Sequence, residues 1–153
     1  MCCSKIHLPL WIHILLAMWA VVFSVLEFLV FLFYFGNVFL AVTALSSLVP
    51  AALCFQLYSM EKAGNVESSL NKNALGCLFY FGLLGCIFAI AGAITYFTLG
   101  IAWQIPVFEM HRTLILCGLE ACLGARWYYE LAHISRGYAH VTRGGRRTKE
   151  ITI

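Results

Sequence analysis

The chain of 153 residues is 62% hydrophobic and 11% charged, with a formal net charge of +3. A soluble domain is about 45–50% apolar and about 25% charged, so this composition excludes an ordinary soluble fold and points to an integral membrane protein. At about 20 residues per crossing, the length accommodates four membrane helices in one domain and leaves no room for a separate soluble one.

The expected fold is all-α: an integral membrane bundle of four transmembrane helices, with the N- and C-termini both cytoplasmic. The helices are expected at about 8–35, 38–60, 74–101 and 106–131, forming a domain over 1–132. The first apolar run follows Lys5 and continues to about Phe35. It far exceeds the 7–15-residue core of a signal peptide and is read as a retained crossing. Pro9 suits a first helical turn. Trp11 marks one interface and Phe33, Tyr34 and Phe35 the other, as aromatic belts do.

Gly36-Asn37 makes a two-residue turn in which both residues tolerate positive φ. So short a turn predicts that the second helix runs antiparallel beside the first. Pro50 is expected to kink that helix, with Ser46 and Ser47 placed to bond the backbone groups it frees. The polar segment Glu61 to Asn73 is the next connection. The third crossing is free of charge and repeats Gly85, Ala89 and Ala93 every four positions. Small residues at that spacing let two helix backbones come close. The expected receiving face, on the last helix, holds Gly118 and Cys122 with Ala121 and Ala125.

The last apolar run, PVFEMHRTLILCGLEACLGARWYYE, also carries Glu109, His111, Arg112, Glu120 and Arg126. At about 100° per residue, Glu109, Arg112 and Glu120 share one stripe. A charge at mid-membrane costs roughly 2.5–3.5 kcal/mol on insertion scales, so this stripe is expected to face the interior, or Glu120 to be neutral. The first helix offers a matching face of His13, Ala17, Ala20, Ser24 and Glu27. Similar depths predict a Glu27–Arg112 pair.

The stretch 133–153 holds Arg136, Arg143, Arg146, Arg147 and Lys149, half of the ten basic residues. Gly144-Gly145 and the β-branched end argue against helix, so a disordered cytoplasmic tail in contact with anionic lipid is expected. Lys5, Lys62, Lys72 and this tail fall on one side of a four-crossing plan. The loops around Gly36-Asn37 and Trp103-Gln104 lack Lys and Arg, and the positive-inside rule makes the basic side cytoplasmic. Cys2 and Cys3, beside the first crossing, are candidate S-acylation sites. Ile151-Thr152-Ile153 fits a PDZ-type groove that takes a hydrophobic carboxyl terminus.

No C-x-x-C, H-x-x-x-H, G-x-S-x-G or phosphate loop is present. No catalytic residue, metal or cofactor is expected, and the basic cluster lacks the aromatic interleaving of a nucleic-acid binder. The sequence therefore points to a non-enzymatic accessory, scaffold or trafficking protein. It would act through helix–helix and tail contacts with other membrane proteins or a second copy. The alternative is a small transporter or channel subunit with Glu27, Glu109, His111, Arg112 and Glu120 in a polar interior. Plasma membrane and endomembrane locations both fit.

Overall fold

A computed structural model describes residues 9–64, 70–104 and 113–150 (for Lys72 and 140–150, the backbone). The described residues form helices and no strand: α1 (Leu10–Leu29) with a π turn (Val30–Tyr34), α2 (Val38–Lys62), α3 (Lys72–Ala102) and α4 (Leu114–Glu150). Leu10–Tyr34, Val38–Lys62 and Asn73–Ala102 are long and apolar enough to cross a membrane, by length and composition.

The end of α1 widens before the chain reverses. Phe35 N bonds Val30 O at 3.2 Å and Asn37 N bonds Phe31 O at 2.8 Å. Gly36 then takes a φ of +65°, which costs glycine nothing. Asn37 caps α2, its side chain accepting from Leu40 N at 3.1 Å.

Buried positions of α2 recur at helical spacing through Leu40, Ala44, Ser47, Ala51, Cys54 and Tyr58. The helix passes through Pro50, itself buried. Proline has no N–H, so the carbonyl four residues back, that of Ser46, loses its helical partner. Ser46 and Ser47 do not repair this. Their hydroxyls bond Thr43 O at 2.8 Å and Ala44 O at 2.9 Å. The Ser46 carbonyl instead accepts from Tyr128 Oη of α4 at 3.1 Å.

α4 packs along α3 and against α2, and α2 packs against α1. Glycines set the α3–α4 approach. A Cβ at Gly82 would lie 2.7 Å from Tyr128 O and 2.8 Å from Ala132 N, and one at Gly85 would lie 2.2 Å from the Tyr128 ring. Gly118 meets Phe97 in the same seam, and Ala93 is buried. Ala89 is half-buried and lines a groove. Cys122 departs from its expected place: it is exposed, beside exposed Leu119 and Leu123. The buried face of α4 runs through Cys117, Glu120, Ala121, Gly124 and Ala125, and Cys122 falls just off its edge.

Both ends of α4 differ from expectation. The helix begins at Leu114 rather than near 106, because Thr113 is non-helical and buried. Its Oγ1 lies 3.5 Å from Leu116 N, in the position of an N-cap. Glu109, His111 and Arg112 lie outside the described residues. At the other end the helix continues to Glu150 instead of giving way to an irregular tail. Ala132, Ile134 and Ser135 are buried there, and Tyr138 Oη donates to the Glu61 carboxylate of α2. Extending a helix already nucleated by such packing costs little, so the roughly 1 kcal/mol penalty at each of Gly144 and Gly145 does not end it. Where α1, α2 and α4 converge, Ala17, Cys54, Leu57, Tyr58, Leu131 and Ile134 form the apolar core.

Candidate functional site: two polar layers between α1, α2 and α4

Three helices each contribute polar side chains at two levels. In the first layer, Ser47 Oγ of α2 donates to Glu120 Oε1 of α4 at 2.7 Å. Ser24 Oγ of α1 lies 3.2 Å from Ser47 Oγ. Ser24, Ser47 and Glu120 are all buried. The Glu27 side chain of α1 lies near Glu120. Ser47 has a single proton and two acceptors in reach, Ala44 O and Glu120 Oε1.

In the second layer, Tyr58 Oη of α2 donates to Glu130 Oε1 of α4 at 2.6 Å. His13 Nδ1 of α1 lies 3.3 Å from the same hydroxyl and 3.8 Å from Glu130 Oε1. The Tyr58 proton is spent on the carboxylate, so His13 Nδ1 faces a hydroxyl lone pair and donates to it. The rings of His13 and Tyr58 also pack, with centroids 5.2 Å apart. His13 and Glu130 keep about a third of their surface exposed, 32% and 31% for their side chains, where Ser24, Ser47 and Glu120 are buried.

The two layers are in register. His13 and Ser24, Tyr58 and Ser47, and Glu130 and Glu120 are each ten or eleven residues apart, three helical turns or about 16 Å. The order ascends on α1 and descends on α2 and α4, so α1 runs antiparallel to the other two. Just beyond the second layer lies the Tyr138–Glu61 bond. Burial, then the bond to Glu61, pushes the Tyr138 phenol well above its usual range.

The residues expected to act are thus partly gathered and partly not. Glu27 lies near Glu120, which Ser47 and Ser24 join in one layer. The expected Glu27–Arg112 pair and the Glu109–Arg112–Glu120 stripe involve residues outside those described. Gly85, Ala93 and Gly118 belong to the α3–α4 seam rather than to this site. Arg136 is exposed. The side chains of Arg143, Arg146, Arg147 and Lys149, together with Cys2, Cys3 and Ile151, Thr152 and Ile153, lie outside the described residues. Ser47, Tyr58 and Glu130 are members of the layers that sequence reasoning missed.

Among the described residues no group of three or more His, Cys, Asp or Glu side chains is placed to hold a metal ion. No described buried side-chain polar atom lacks a hydrogen-bond partner. No family model, no curated protein and no solved structure matches the chain.

Proposed function

We propose that the chain is a multi-pass membrane protein with four crossings and both termini cytoplasmic, acting as a non-enzymatic accessory, scaffold or trafficking protein. The observation that carries this reading is that the intramembrane carboxyls are engaged by neighbouring helices. Glu120 is held by Ser47 and Glu130 by Tyr58, so these groups fix the order and register of the bundle and leave its outer faces for partners. The same bonds support a fourth crossing. They offset the insertion penalty of two carboxyls on the least apolar helix. The basic segment of α4 would contact anionic lipid on the cytoplasmic side, in the plasma membrane or the endomembrane system. Cys2, Cys3 and the carboxyl-terminal Ile151-Thr152-Ile153 are the remaining contact points. Cross-linking of the full chain in intact membranes, followed by affinity isolation, is expected to return a stoichiometric membrane-protein partner or a second copy. Recovery of the uncross-linked monomer alone overturns this reading.

The proximity of Glu27 to Glu120 favours a second reading, a small transporter or channel subunit, since ionisable residues gathered inside a membrane bundle mark ion and proton paths. Proton flux in liposomes that disappears in Glu120→Gln supports it. No flux from the reconstituted parent chain removes it.

A further inference from the structure

Beyond the two polar layers, the other face of the bundle carries a groove of about 490 Å³ between α2 and α3, floored by α4. Its α3 wall runs without a break from Phe81 to Tyr96 along one helix face. That is fifteen residue steps, or about 22 Å. That volume is the space open to the centre of a water molecule, about 5 Å wide when spread over that length, so adding a water radius of about 1.4 Å on each side makes the groove about 8 Å wide, narrower than the roughly 10–12 Å diameter of a helix with its side chains. A transmembrane helix does not fit. A single extended hydrocarbon chain does.

The chemistry of the wall agrees. Gly92 presents open space, with nothing within 4 Å of a built Cβ, and Leu84 and Phe88 stand exposed at the rim. The hydroxyls along the α2 side are spent on backbone: Thr43 on Leu40 O at 2.8 Å, Ser46 on Thr43 O at 2.8 Å, and Tyr128 on Ser46 O at 3.1 Å. The groove therefore offers an occupant no free hydroxyl donor along that stretch. At one end stands Tyr96, whose hydroxyl has no hydrogen-bond partner among the described residues. It lies six residues before the end of α3, about 9 Å below it, at a depth suited to the ester carbonyl of a membrane lipid.

We propose that this groove binds one acyl chain of a bilayer phospholipid, with the ester carbonyl accepting from Tyr96. The bound lipid is a resident of the fold, distinct from the annular lipid that covers α1 and the back of α3.

The test uses the full chain in phosphatidylcholine vesicles containing a trace of phosphatidylcholine with a mid-chain diazirine. After irradiation, peptide mapping is expected to place label on the Gly85–Gly92 stretch and Ala121 at least ten-fold above the exposed α1 stretch Trp19–Leu26. Even labelling of the two overturns the proposal. In parallel, native mass spectrometry of detergent-extracted protein is expected to show one retained phospholipid. Occupancy should fall at least ten-fold in Gly92→Phe and Ala89→Phe, which fill the groove, and about three-fold in Tyr96→Phe. Gly76→Phe, also in open space on α3, should leave occupancy unchanged. Retention unaffected by both filling variants, or a retained sterol or second chain in place of phospholipid, overturns the proposal. Should both filling variants fail to yield monodisperse protein, the labelling of the unaltered chain decides alone.

Discussion

Tyr128 of α4 donates its hydroxyl to the carbonyl of Ser46, the group that Pro50 leaves without a partner inside α2. A helix break in one element is thus answered by a side chain of another. Tyr128→Phe is expected to lower stability by about 0.6–1.7 kcal/mol, the span measured for interhelical bonds in membrane proteins. Pro50→Ala returns the missing N–H, so in that background Tyr128→Phe should cost less than half as much. A double-mutant cycle of unfolding in detergent reads the difference, and equal costs in both backgrounds would falsify the assignment.

The first polar layer makes a graded prediction. Ser47→Ala removes the hydroxyl that reaches Glu120 and leaves a buried carboxyl short of a partner, an expected loss of about 1–3 kcal/mol. Glu120→Gln keeps an oxygen to accept from Ser47 and should cost less than about 1 kcal/mol. Thermal melts of the two variants check the order; a larger loss for Glu120→Gln contradicts it.

In the second layer, Tyr58 serves Glu130 and His13 together. Tyr58→Phe and His13→Ala should therefore be non-additive, with a coupling of about 0.5 kcal/mol or more. Additive melting shifts would show that the three groups do not act as a unit.

Glycine substitutions separate backbone from side-chain contact in the α3–α4 seam. Gly82→Ala meets Tyr128 and Ala132 backbone and has no relief short of parting the helices, an expected loss of about 1–3 kcal/mol. At Gly85→Ala the nearest atoms belong to the Tyr128 ring. Its cost should shrink sharply when combined with Tyr128→Ala, whereas that of Gly82→Ala should not. Equal relief of both in paired melts would place the seam elsewhere.

The Tyr138–Glu61 bond carries a pH signature. The Tyr138 phenol is held above its ordinary value by burial and by Glu61, so the folded state keeps a proton that the unfolded state releases near pH 10. Stability from this bond is fully present below about pH 10 and declines as pH rises further toward the folded value. Melting temperature should fall more steeply above pH 10 in the parent chain than in Tyr138→Phe. Parallel profiles would argue that the phenol contributes nothing.

Parts of this arrangement are legible in the sequence because a physical demand is local there. Gly36-Asn37 interrupts two apolar runs with residues suited to a reversal, and Gly36 takes positive φ. Polar residues in a charge-poor helix must face protein, which brings His13, Ala17, Ser24 and Glu27 to one interior stripe. Their partners are not legible in the same way. Ser47 reads as a donor to the backbone that Pro50 frees, Tyr58 as one more member of an apolar run, and Glu130 only as the end of the last run until its ten-residue spacing from Glu120 is set beside those on α1 and α2. Pro106 is a louder start signal than Thr113, yet Thr113 occupies the cap. Gly144-Gly145 speaks against helix locally, while the burial of Ile134 and the Tyr138–Glu61 bond exist only once α2 and α4 are side by side.

The unbroken course of α4 has a mechanical consequence. From Leu131, where the apolar core grips it, to Glu150 is nineteen residues, a rod of about 28 Å. A tilt of about 10° at the grip swings the far end by about 5 Å, so a small reseating between α3 and α2 becomes a displacement on the scale of a side chain at the basic tip. Whatever touches that tip has leverage over the interior, and the interior over it.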